Sequence, residues 1–162
     1  MDFGTAIVGA IAILLCALPF AMMNRSKSQK KKQFLASLSK IASSKSCKVD
    51  QHEIFGTFAI GLDESRNMVF FSRAKNNQYE EQLIDLHEIG SCRVINTTRT
   101  FRNSEGVQKV IDRLELSLTP LIQSQPEIKL EFFNADVSLQ LYDELLSIEQ
   151  WASKIGERLK NK

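Results

Sequence analysis

No aspartate or glutamate occurs between Asp2 and Asp50, and no charged residue of either sign between Phe3 and Met23. Histidine, cysteine and glycine are also scarce, at two, three and seven residues. None of the glycines falls in a GxGxxG or GxxxxGKS/T pattern, and neither GxSxG nor HExxH occurs. The sequence therefore lacks the signatures of dinucleotide-binding and P-loop folds, nucleophile-elbow hydrolases and zinc proteases. Of the three cysteines, Cys16 lies in the uncharged run and only Cys47 and Cys92 lie beyond it. That usage suits a compartment where thiols stay reduced.

The uncharged run, residues 3–23, reads FGTAIVGAIAILLCALPFAMM. As a helix it would rise about 31 Å, matching a hydrocarbon core about 30 Å thick, so a transmembrane helix is expected there. A cleaved signal peptide would carry positive charge before its apolar stretch, whereas this run is preceded only by Asp2. A lipobox wants a small residue directly before its cysteine, and Leu15 precedes Cys16.

Charge is segregated along the chain. Residues 25–48 hold eight lysines and arginines and no acid, whereas residues 49–162 hold 13 basic and 18 acidic groups, a net of −5. Arg25, Lys27, Lys30, Lys31 and Lys32 crowd a linker at 24–33, and cationic flanks favour the cytoplasmic side. The expected topology is single-pass in a bacterial inner membrane, N-terminus out and C-terminal domain cytoplasmic, with those five side chains on lipid headgroups. Because the basic charge belongs to the linker and not to the folded part, no nucleic-acid partner is expected.

Phe34, Leu38, Ile41 and Ala42 then recur at helical spacing, which predicts an amphipathic helix at 34–46. Its stripe can lie on the membrane surface or pack on the domain; the pattern allows either. After Lys48 the period becomes two. Runs at VDQHEIF, TFAIGLD, MVFFSRA, EEQLIDL, CRVINTTRTF, VIDRLELSLTPL and PEIKLEFF, separated by turns such as DESRN and NSEG, predict about seven strands. Leu141, Leu145, Ile148, Ala152, Ile155 and Leu159 then step by three and four, predicting one long helix at about 138–160, capped within Asp136 to Ser138 and bearing Trp151.

The expected fold is thus α+β. About seven antiparallel strands form a bent sheet or partly open barrel over residues 47–162, capped by a C-terminal helix. This order resembles the pleckstrin-homology-like fold. The whole chain, with its N-terminal span, lysine-rich linker, FAIGLDESRNMVFF, QLIDLHEIGSC and a tryptophan in the last helix, is similar to a group of small bacterial single-span membrane proteins with a cytoplasmic domain of that kind. The resemblance implies a cytoplasm-facing accessory protein and supplies no ligand or activity. Lipid-binding members of the fold use a basic first loop, whereas the corresponding residues 55–57, FGT, carry no cation.

Three constellations bear on chemistry. Asp63–Glu64 and Asp143–Glu144 are adjacent carboxylates of the kind found at hairpin tips and on solvated helix faces, and neither is expected to be catalytic. Cys47, His52, His87 and Cys92 match the ligand types of a zinc site, but residues five apart on a strand face opposite ways, so no metal is expected. In VFF and EFF, one aromatic of each pair must face away from the core. Its cover is the linker helix, another strand or a partner, which makes Phe70, Phe71, Phe132 and Phe133, with Tyr142, the candidate partner contacts. No catalytic residue and no cofactor is expected. The resulting expectation is a membrane-anchored binding or scaffolding module holding a protein partner. The alternatives are a membrane-surface enzyme with an unrecognised site, or a subunit working through its span, where Gly4, Gly9 and Ala10 offer small residues for helix association.

Overall fold

A computed structural model describes residues 28–75, 78–103, 106–138 and 140–161. The expected span at 3–23, together with Arg25 and Lys27, lies outside these residues. Among those described, no helix is long and apolar enough to cross a membrane.

The chain begins with helix α1, residues 28–44. Four strands follow: β1 (Gln51–Ile54), β2 (Phe58–Asp63), β3 (Met68–Lys75) and β4 (Gln78–Asp85). After a 3-10 turn at Leu86–Glu88 come β5 (Ile89–Asn103), β6 (Gly106–Pro120), β7 (Ile128–Asn134) and helix α2 (Glu144–Lys160). All seven strand runs expected from the alternation are present. They divide into two antiparallel sheets, ordered β1-β2-β3-β4 and β5-β6-β7, instead of one continuous bent sheet. The break falls at HEIGS. There Asp85 accepts from the His87 amide at 2.9 Å and ends β4 in the 3-10 turn, and Ile89 already belongs to β5.

The two sheets enclose the main core. Phe58 and Phe71 from the first sheet meet Phe132 from the second, with ring centroids 4.7 and 6.1 Å from it, and Leu114, Leu116, Leu118 and Leu130 complete the layer. Leucines two apart on β6 share a face, which is why its clean alternation ends in burial. Helix α2 closes this core with Ile148, Trp151 and Ile155, all buried. It starts at Glu144, later than the expected cap at Asp136 to Ser138. Those residues instead form a turn off β7, with the Val137 and Ser138 amides donating to the Asn134 carbonyl.

The outer face of the first sheet is buried as well. Phe34, Leu38, Ile41 and Ala42 of α1 pack on Ala59 and Phe70, so β2 and the centre of β3 are covered on both sides. Burying three large apolar side chains of α1 stabilises this docking by roughly 5–8 kcal/mol. Polar contacts fix its register: Ser37 donates to Glu81 at 2.6 Å and contacts the Ser72 hydroxyl at 2.8 Å. The helix ends with Ser46 at a φ of 54°, the Ser46 amide on Ser43 O and the Cys47 amide on Ala42 O, which is a Schellman closure with serine at the left-handed position. Of the two readings of this amphipathic stripe, the structure adopts packing on the domain.

Helix α1 gives the molecule two ends. Its start lies at the β3–β4 end, where the Tyr79 hydroxyl donates to Gln33 at 2.9 Å. Its finish lies at the β2–β3 turn, where Arg66 donates to the Lys45 carbonyl at 2.8 Å. These are the proximal and distal ends of the molecule. The α2 C-terminus is also distal, through Arg158 donating to Glu64 O at 2.8 Å and Asn67 Oδ1 at 2.7 Å.

Candidate functional site

At the distal end, Asp63 closes the β2–β3 turn. Its carboxylate accepts from the Lys48, Ser65 and Arg66 amides at 2.7–2.9 Å and from the Ser65 hydroxyl at 2.6 Å. Burial pushes its pKa up, but the Ser65 hydroxyl and the three amides outweigh that and hold it at about 2. A carboxylate saturated in this way has neither the proton nor the free lone pairs for acid–base work near neutrality. Its neighbour Glu64 is taken by Arg158 at 3.2 Å and by the Gln51 amide. The second acid pair is also structural, with Glu144 Oε2 accepting from the Tyr142 amide at 2.6 Å beside the α2 start.

Cys47, His52, His87 and Cys92 are not brought together. His87 sits on Asp85 at 2.8 Å, His52 is exposed on β1, and among the described residues no three His, Cys, Asp or Glu side chains converge on a common point. Burial pushes the Cys92 thiol up to about 11, so it is protonated and unreactive at neutral pH.

The aromatic contacts expected from VFF and EFF require correction. Phe71, Phe132 and Phe133 lie in the main core and Phe70 beneath α1, so none of the four is a surface for a partner. Phe70 and Phe71 do face opposite ways, but α1 covers the outward one. Phe133 escapes the alternation because the β6–β7 register shifts between Leu114 and Glu115, which lets it join Phe132 inside. Tyr142 remains a surface residue at 70 % exposure, and Leu146, in the first turn of α2, is 59 % exposed. Sequence reading missed Leu146, although its place off the α2 stripe was visible.

The proximal end gathers the remaining open features. A cleft of about 500 Å³ runs between the start of α1 and the β1–β2 and β3–β4 turns, lined by Lys30, Gln33, Gly56, Lys75 and Tyr79 among others. Its cations come from α1 and β3, and the FGT turn contributes none. Lys75 is shared with Glu80 at 2.9 Å, while Lys30, Lys31 and Lys32 are exposed. A polar cleft of about 430 Å³ at the distal end, between Gln51, Asn67, Lys154 and Arg158, is already cross-linked by the side chains that line it. No family model, curated protein or solved structure matches the chain.

Proposed function

We propose that this protein is a membrane-anchored cytoplasmic binding module that holds a protein partner beside a bacterial inner membrane, and that its strands and final helix form a pleckstrin-homology-like domain. The observation that carries the reading is the docking of α1. Because α1 is part of the folded body, only residues 24–27 separate it from the apolar run ending at Met23. Four residues, even fully extended, keep the start of α1 within about 18 Å of that run. The proximal end therefore faces the bilayer, and Lys30, Lys31 and Lys32 meet anionic headgroups at about 1 kcal/mol each.

The partner surface in this reading is the exposed pair Tyr142 and Leu146 beside the α2 N-terminus. A tethered domain presents such a patch at high effective concentration to other membrane-bound proteins. The saturated carboxylates and protonated thiol favour binding over chemistry. Photo-crosslinkers placed at positions 142 and 146 in intact membranes should give the same discrete adduct, retained when the small residues Gly4 and Gly9 are replaced by leucine. No adduct at either position, or an adduct lost with those replacements, would reject the α2 surface, the second outcome in favour of the span.

A further inference from the structure

Strands β5 and β6 are each fifteen residues long, whereas β7 pairs with β6 only over Arg113–Leu118. From Thr98 to Asn103, paired with Ile111 to Gly106, they continue as a two-stranded ribbon, set off by a bulge between Thr97 and Thr98 and bare beyond Ile111, which still packs on the main core. Six residues of strand carry it roughly 20 Å beyond the sheet. A two-stranded ribbon with neither face covered is marginal in water.

Its composition differs from that of a solvated hairpin. Phe101 and Val110 lie on one face at 49 % and 42 % exposure, with Arg99; Val107 lies on the other at 59 %, with Arg102 and Lys109. Arg99 is held by Asp112 at 2.8 Å and Asp136 at 3.7 Å. Among the described residues, Arg102 and Lys109 pair with no carboxylate. Glu105 lies between the two strands, outside the described residues.

The ribbon also leaves the molecule at the proximal end. Its base is the Asp112 carbonyl, which accepts from the Ala135 amide at 2.9 Å. Asn134 and Val137 share a small cleft with Thr57, and Thr57 belongs to the turn whose Gly56 lines the cleft beside Lys30. In the opposite direction, β6 runs to the distal end, where the Leu121 amide donates to Glu88 O at 2.8 Å. Followed away from that end, β5 and β6 reach the level of Arg113 and Asn134, beside the Thr57 turn, and then continue as the ribbon.

We propose that the β5–β6 ribbon is a second membrane contact: its apolar side chains enter the headgroup region of an anionic bilayer while Arg102 and Lys109 neutralise lipid phosphates. The inference rests on the anchored reading above, which puts the start of α1 within about 18 Å of the apolar run. A ribbon reaching about 20 Å from the same end meets that bilayer. Exposed apolar residues beside cations that pair with no carboxylate among the described residues are the chemistry of an interfacial segment, and a second attachment restrains the rotation that a single span leaves free.

The test uses the full chain in phosphatidylethanolamine–phosphatidylglycerol vesicles with brominated acyl chains, which quench nearby tryptophan. F101W and V107W place reporters on the two ribbon faces, and I122W places one on the exposed distal loop; buried Trp151 sets the background. Quenching at 101 and 107 should exceed that at 122 by about twofold or more and should weaken in the R102Q/K109Q background. If alkali-washed vesicles keep the chain while neither ribbon reporter is quenched, the ribbon proposal falls and the anchor stands. If the wash strips the chain from the vesicles, both fall. Blue-shifted but unquenched emission at 101 would assign the ribbon to a protein, such as a second copy, and overturn the lipid contact.

Discussion

Removing the indole of Trp151 should separate two contributions of α2, filling the core and tying down β1. Trp151 is 2 % exposed, and its Nε1 donates to Glu53 Oε2 at 2.7 Å, while the Ser147 hydroxyl donates to the same oxygen at 2.5 Å. Trp151→Ala deletes a fully packed ring system and should cost about 3–5 kcal/mol. Trp151→Phe keeps most of the ring burial but withdraws a donor from a carboxylate, which should cost about 1.5–3 kcal/mol. At a few degrees per kcal/mol for a domain of this size, the alanine variant should melt roughly 10–20 °C lower. Lys154, 4.9 Å from the ring centroid, adds a cation–π term that phenylalanine partly retains. The assay is denaturant unfolding of the intact chain followed by circular dichroism, with Glu53→Ala and the Trp151→Phe/Glu53→Ala double variant closing the cycle. A coupling energy above about 1 kcal/mol is expected. Independent effects would refute the claim that the indole and Glu53 act as a unit, and an unchanged melt for Trp151→Ala would refute the placement of Trp151 in the core.

A fragment spanning 28–162 should be soluble and folded, whereas one starting at 47 should aggregate or bind hydrophobic dyes, because removing α1 uncovers Phe70 and Ala59; equal behaviour would show that α1 adds nothing to the core. Stability should fall as pH drops from about 4 towards 2. The folded-state pKa of Asp63 lies below its unfolded value of 3.8, so its contribution is complete above that value and lost on protonation, and Asp63→Asn should flatten this part of an acid titration. Arg73 and Glu131 form a mostly buried ion pair between β3 and β7, so Arg73→Ala should destabilise by about 3 kcal/mol, more than Arg73→Ala/Glu131→Ala together, as read from denaturant midpoints. A reporter fused after Lys162 should behave as cytoplasmic, and neutralising Arg25, Lys27, Lys30, Lys31 and Lys32 together should yield mixed orientations; a uniform periplasmic signal would remove the topological argument.

The periodicities written in this sequence decide its elements. Alternation at Leu114, Leu116 and Leu118 and the three–four stepping of Ile148, Ala152 and Ile155 are local properties of side-chain direction, and they mark β6 and α2 without any knowledge of what packs on them. The same holds for Phe34, Leu38, Ile41 and Ala42, whose stripe identifies a helix but says nothing of its contact, since a membrane and a sheet reward the same spacing. Only the tertiary structure decides that the outward face of β3 is the receiving surface, and so turns Phe70 from an exposed aromatic into core. Chain pairing likewise decides the register shift that draws Phe133 inside. Carboxylate chemistry is non-local too: Asp63 looks like half of an acid pair in sequence, but the amides of Lys48, Ser65 and Arg66 converge on it only when the turn closes against the end of α1. The proximal gathering of the ribbon, the cleft and the start of α1 comes from long-range topology. It joins residues seventy positions apart that no periodicity links, because a strand pattern fixes which face a side chain takes and leaves open which other strands stop short beside it.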